Sequence, residues 1–155
     1  MIAADLLPGS LYLWKAAAVF AVVIAVARVS LARHHPFPRF GPANQVTTVR
    51  AALVALVAGL IGEPRVPAYA TAAAIISGIV TALDGVDGWL ARRTKMASQF
   101  GARFDMEVDA LLILVLSILA WQYEKAGAWI ILAGLLRYAF VGGGWFFPWM
   151  ERPLP

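Results

Sequence analysis

The sequence predicts an all-α protein, a polytopic membrane helix bundle with about five transmembrane helices. Composition is the first observation behind this: of 155 residues, 61% are hydrophobic and 14% charged, with a mean hydropathy of +0.75. Soluble domains average roughly 45–50% apolar and about 25% charged residues. The second observation is a series of five apolar runs, each near the ~20 residues that cross a hydrocarbon core. The third is the punctuation between them, short turns rich in Pro, Gly and polar residues.

The elements follow in order. Residues 11–29 form the first run. Asp5 precedes it, no basic residue comes before Lys15, and positive charge follows the run. That pattern reads as a retained span with its amino terminus outside rather than as a cleaved signal peptide. Residues 34–42 hold three prolines and break the helix. The second run, 46–62, ends in the turn Gly62-Glu63-Pro64-Arg65-Val66-Pro67. The third, 67–83, continues helically through Asp84 and Asp87. The fourth spans 104–121, a polar turn occupies 122–127, and the fifth covers 126–147. Each run is helical because lipid leaves an open chain no other way to satisfy its backbone. Residues 1–43 thus read as a leading membrane helix and a basic interfacial loop, and 44–155 as the core.

Charge sets the expected orientation. Arg28, Arg33, Arg39 and Arg50 gather around the first connection, Arg92, Arg93, Lys95 and Arg103 around the third, and Arg152 follows the last run. Only Lys15, Arg65 and Lys125 fall on the other side. The richer side is expected to be cytoplasmic. The net charge of +4 lies beside apolar runs, which suits an anionic lipid surface rather than nucleic acid. With no cysteine, disulfides, thiolate metal sites and a cysteine nucleophile are excluded.

The chemistry is concentrated between Asp84 and Asp109. Charged residues within membrane segments are costly and mark function by default. Asp84 and Asp87 stand three apart and Asp105 and Asp109 four apart, so each pair shares one helix face. Two facing pairs make a cluster of hard oxygen ligands for Mg²⁺ or Mn²⁺. Two such ions suit a diphosphate undergoing in-line displacement. Gly88 and Ala91 lie on the Asp84 face and leave it nearly bare, and Gly101 does the same on the facing helix. Arg92 offers a permanent charge that forks onto phosphate. Glu107, about 200° around the helix from Asp105, is expected to point away, toward the surface or a neighbouring helix.

Other residues carry weaker signals. Arg137 lies near the middle of the last run; it either faces the cavity and binds an acceptor phosphate or pairs with an acid or a helix-end carbonyl. Trp14, Trp121, Trp145 and Trp149 read as an interfacial belt. Gly142-Gly143-Gly144 follows no strand, so it reads as a packing or flexible segment rather than a phosphate loop. His34 and His35 read as solvated. Asn44 and Thr47 favour helix starts and suit a capping role.

The spacing Asp84-x2-Asp87-Gly88-x2-Ala91-Arg92-x8-Gly101-x3-Asp105-x3-Asp109 resembles the signature of the CDP-alcohol phosphotransferases at every fixed position. A shorter match precedes it, Asn44-x2-Thr47-x2-Arg50, similar to the family's opening of the preceding helix. The resemblance covers residues 44 to about 121. It implies transfer of a phosphoalcohol group, commonly phosphatidyl from CDP-diacylglycerol, to an alcohol acceptor, with release of CMP in phospholipid synthesis. On that resemblance Asp84, Asp87, Asp105 and Asp109 hold two metal ions, and Asp109 is also the general base. Asn44, Thr47, Gly88, Ala91, Arg92 and Gly101 hold the CDP moiety, and a homodimer is implied. The family's usual six membrane helices make the expected core C-terminally incomplete. Two rival classes compete: a Mg²⁺-dependent membrane prenyltransferase, which wants an Asp-Asp-x2-Asp cluster and lacks the Gly-x2-Ala-Arg stretch, and an ion or proton transporter, which favours acids at the midplane.

Overall fold

The computed structural model describes residues 8–34, 37 and 39–146, which form five helices and no strand. These are α1 (Tyr12–His34), α2 (Pro42–Gly59), α3 (Pro67–Thr94), α4 (Gln99–Gln122) and α5 (Ile130–Phe146). The side chains of Arg33, His34 and Trp145, and residues Asp5, His35, Trp149 and Arg152, lie outside the described part. Each of the five expected runs holds a helix, α2 ending at Gly59 rather than 62 and α5 beginning at Ile130 rather than 126. Two helices begin several residues earlier than the apolar runs predict, α2 at Pro42 and α4 at Gln99. In both, the first turns are polar and line the site, so hydropathy alone does not mark them. Gly142, Gly143 and Gly144 continue α5 as helix.

The outer surface of the bundle is apolar over much of its length, unlike that of a soluble protein. Leu13, Val22 and Val26 on α1, Ile75 and Ile79 on α3, and Leu132, Leu136 and Phe140 on α5 are exposed, whereas Arg50 is fully buried. α1 and α3 each hold a segment long and apolar enough to cross a membrane, and little of either segment is buried in the bundle. Exposed apolar surface of this extent fits contact with lipid. Trp14 and Trp121 are exposed as a belt requires.

Helix α2 is the central post, packing against α1, α3 and α4, while α5 packs on α4. Its small buried residues Ala51, Ala55, Ala58 and Gly59 let neighbours approach closely. At Gly59 a Cβ would lie 2.8 Å from the Tyr12 ring, and the Tyr12 hydroxyl donates to the Leu56 carbonyl at 3.0 Å. At Gly134 a Cβ would lie 2.6 Å from Cα of Leu114, so α4 and α5 touch backbone to backbone. The apolar core joins Val54 and Val57 of α2, Val80 of α3, and Phe100, Val108, Leu112 and Val115 of α4.

Polar ties close the end of the bundle formed by the α2–α3 and α4–α5 turns. Gln122 donates to the Glu63 carbonyl at 3.1 Å and accepts from the Gly62 N–H at 2.7 Å. The Tyr123 hydroxyl donates to the Val66 carbonyl at 3.1 Å, and Arg65 pairs with Glu124. The buried Glu63 accepts from the Gly9 N–H at 2.7 Å and from Lys15 Nζ at 2.5 Å. From Pro67 to Asp84 and from Gln122 back to Asp105 the rise is about 26 Å in each case. The aspartates therefore stand toward the opposite end, Asp109 nearer at about 20 Å, within a hydrocarbon thickness of ~30 Å.

Both the tight helix contact and the Glu63 tie are open to test. Gly134→Ala forces a methyl against the α4 backbone and should lower stability by about 1–3 kcal/mol, read as a drop in melting temperature in detergent. The bonds from Lys15 and Gly9 hold the Glu63 carboxyl below its ordinary range. A depressed folded value means the stabilisation is fully present above the ordinary pKa of about 4.3 and is lost as pH falls through the folded value. Melting temperature should therefore fall more steeply below about pH 4.5 in the parent chain than in Glu63→Gln, which starts lower and is flatter; equal slopes would contradict this.

Candidate functional site

Three helices build the site from their polar ends. Helix α3 stops at Lys95, which takes the left-handed conformation (φ 54°) and returns its N–H toward the last turn. Gly would adopt this φ without cost; here the N–H groups of Lys95 and Met96 bond to the carbonyls of Arg92 and Ala91. Ser98 then caps α4, its side-chain oxygen accepting from the Gly101 N–H at 3.0 Å. This short turn brings α4 back against α2, on which α3 also packs, so that Asp84 and Asp87 meet Asp105 and Asp109 around Arg50. Phe100, fully buried, stacks on Phe104 and touches Phe40, which anchors the turn to the entry of α2.

Arg50 of α2 lies where the four carboxylates converge. Its guanidinium pairs with Asp87 at 2.6 Å and Asp84 at 2.9 Å, and also with Asp105 and Asp109. Only its terminal nitrogens take part; the buried Nε has no protein partner. Ligand oxygens of Asp84, Asp105 and Asp109 come within 4.8 Å of one another, close enough to share an ion. Asp87 lies deeper, and its Oδ2 also accepts from the Thr47 hydroxyl at 2.9 Å. A cluster of carboxylates already gathered around one cation, with only hard oxygen donors, fits Mg²⁺ or Mn²⁺.

Arg50 is the functional residue that charge counting misplaces. Grouped by sequence with the charges of the first connection, it is instead a buried side chain inside the bundle. Two signals mark it: it falls within the second apolar run, and it closes the Asn44-x2-Thr47-x2-Arg50 match. Asn44 and Thr47 are not caps either. Gly41 (φ 83°) occupies the N-cap of α2 without a side-chain bond, while Asn44 donates to the Phe40 carbonyl at 2.5 Å and Thr47 to the Ala43 carbonyl at 3.1 Å.

Beside the acids lies a cavity of about 230 Å³ whose lining includes Asn44, Thr47, Gly88, Ala91, Arg92 and Gly101, together with Asp87 and Asp105. All six residues expected to hold the CDP moiety thus face one space. The cavity is smaller than the ~300 Å³ at the low end of drug-sized pockets, so it suits the head of a ligand rather than a whole lipid. One of its glycines, Gly101, has a steric reason to lack a side chain. A Cβ on Gly101 would stand 3.0 Å from the Asn44 side-chain oxygen, and one on Gly88 would stand 3.4 Å from the Arg92 guanidinium. Arg92 folds back over that bare surface, and Met96, Ala97 and Ser98 close the rim.

Glu107 points away from the cluster, as expected, and pairs with Arg137 of α5 at 2.5 Å. Arg137 is therefore held by an acid on the outer face of α4, and it does not line the cavity.

The sequence model of the CDP-alcohol phosphatidyltransferase family matches residues 40–153. A protein of Bacillus subtilis (strain 168) named CDP-diacylglycerol–glycerol-3-phosphate 3-phosphatidyltransferase is 28% identical over 115 residues, covering 67% of this chain and 60% of that protein. A protein of the same name from Pseudomonas fluorescens is 32% identical over 89 residues, covering 57% of this chain and 45% of that protein. The matched part of the chain thus spans about half of each relative. No solved structure matches significantly.

Proposed function

This chain belongs to the CDP-alcohol phosphatidyltransferase family, and we propose that it transfers a phosphatidyl group from CDP-diacylglycerol to an alcohol, releasing CMP, in phospholipid synthesis. The observation that carries this is the convergence of six motif residues from α2, α3 and α4 on one cavity, beside four carboxylates gathered at one point. The relatives' names favour glycerol 3-phosphate as the acceptor. Residues 44–155 form the catalytic core in this reading, and 1–43 the leading helix and interfacial loop.

The position of each residue supports a distinct role. Asn44 and Thr47 form the inner wall of the nucleotide cavity, and Gly88, Ala91 and Gly101 keep its sides bare so that a flat, bulky group can approach the backbone. Arg92 at the rim contributes a fixed positive charge to the diphosphate. Asp84, Asp87, Asp105 and Asp109 hold divalent cations, two in this reading, which when bound neutralise diphosphate oxygens and stabilise the attacking and leaving oxygens. The acceptor oxygen attacks the phosphorus of the phosphatidyl group, the bond from that phosphorus to the CMP oxygen breaks, and CMP leaves with the electron pair. Asp109, held in orientation by Arg50 and half exposed, takes the acceptor proton.

Topology completes the proposal. The acids lie at the end of the bundle where Arg92, Arg93, Lys95 and Arg103 cluster, which by charge bias is the cytoplasmic side. CDP-linked donors and water-soluble acceptors are available there. A proton or ion relay would place its acids near the midplane, whereas Asp87 and Asp105 lie within about two turns of the helix ends at the α3–α4 turn. Arg137 does not line the cavity, and its ion pair with Glu107 accounts for the charge.

CMP release from CDP-diacylglycerol with Mn²⁺ or Mg²⁺, compared across acceptors, tests the assignment, with glycerol 3-phosphate expected to give the fastest rate. No CMP with any acceptor would refute it. Asp109→Asn should lower turnover by about 10²–10⁴-fold while leaving metal-dependent CDP-diacylglycerol binding largely intact; normal turnover would remove the base role. Gly88→Leu fills the cavity wall and should weaken CDP-diacylglycerol binding by roughly tenfold or more, the cost of about 1.4 kcal/mol of lost contact, with helicity unchanged, read by titration and circular dichroism.

A further inference from the structure

Arg50 touches all four acids, yet it lies on the opposite side of them from solvent. Its side chain is 1% exposed, whereas those of Asp84, Asp105 and Asp109 are 45%, 36% and 46% exposed. Each of these three gives the guanidinium one oxygen, Oδ1, and retains a second. Asp87, 5% exposed, gives Oδ2, the same oxygen that accepts from Thr47. The guanidinium is therefore clamped from below by a buried acid and a hydroxyl, and spread beneath three acids that open outward.

We propose that Arg50 is a positioning residue, a buried guanidinium floor that fixes one oxygen of each carboxylate so that the remaining oxygens form a ready-made divalent-cation site. The inference rests on the metal-dependent reading above. A guanidinium suits such a floor because it is planar and permanently charged, and its terminal nitrogens carry several donors in a fixed geometry. A lysine would bring the same charge on one nitrogen with three donors, too few for all four acids at once. The opposing view is that Arg50 substitutes for the cation and withdraws when one arrives. Withdrawal would strand a charge that is fully buried and leave Asp87 without its partner, which is strongly destabilising. Partners behind metal ligands commonly govern affinity by about 10–100-fold.

Mn²⁺ binding to the full chain in detergent, without nucleotide, tests this by electron paramagnetic resonance of the free ion. Arg50→Lys keeps the charge and removes the fork, so Mn²⁺ affinity should fall by about 10–100-fold, with a matching loss of the Mn²⁺-induced rise in melting temperature. Unchanged or tighter binding in Arg50→Lys overturns the floor. If the parent chain itself binds no Mn²⁺, the metal-dependent reading fails and this inference with it. A second measurement needs no variant at the site. In ¹⁵N-arginine-labelled protein, the Arg50 guanidinium should be slowly exchanging and restricted in rotation, and should keep that signature at saturating Mg²⁺. Its collapse to a solvated signal would show withdrawal and overturn the proposal even where Arg50→Lys does not fold.

Discussion

Four carboxylates held around one buried guanidinium are the constraint on which the rest of this bundle depends. Opposite charges taken out of water are tolerated only when geometry satisfies them. Here the satisfaction is shared: the cation comes from α2, two acids from α3 and two from α4. No two of these helices can shift without stranding a charge on the third. The Lys95–Ser98 turn and the Phe40–Phe100–Phe104 stack hold the ends at the required separation. At the other end, Gln122, Tyr123 and Glu63 tie the turns together, so the bundle is fastened by polar contacts at both ends and by apolar packing between.

That arrangement explains why the wall beside the acids is so plain. Gly88, Ala91 and Gly101 contribute almost nothing to packing, and the last approaches Asn44 so closely that a methyl would crowd its side-chain oxygen. A core selected for stability alone would fill such a space. Instead α3 places a long cationic side chain, Arg92, on the rim of the cavity. Gly101 is small partly because Asn44 crowds it, but Gly88 and Ala91 keep the space open with no such close neighbour on the far wall.

Much of this was legible in the sequence, and the parts that were not share a physical cause. Apolar runs announced the helices, and the three- and four-residue spacings of the aspartates announced two faces, because both are local periodicities. Glu107 was placed correctly by the same geometry. Arg50 was not, because charge counting treats an arginine near a helix end as a loop charge, and only tertiary contact shows that three helices bury it. Asn44 and Thr47 suffered likewise: their cap propensity is real, but Gly41 takes the cap and the polar first turn of α2 turns inward. The tie between Lys15 and Glu63 joins residues 48 apart, and no local pattern encodes that.

The charge sum of the site decides what kind of ligand it was built to meet first. Four carboxylates and one guanidinium leave a formal charge of −3 when all are ionised. Arg92, on the rim, brings it only to −2. A diphosphate entering such a site would be repelled at every oxygen, and in a low-dielectric setting that repulsion is worth several kcal/mol. An anion cannot be the primary ligand of these acids, and a monovalent cation would not reverse their sign. In the proposed reading, two divalent cations turn −3 into +1 before Arg92 is counted, which is the sign a diphosphate requires. The side chains of α2, α3 and α4 in that reading thus form a cation site next to a cavity for the head of the donor, and their charge favours cation before diphosphate.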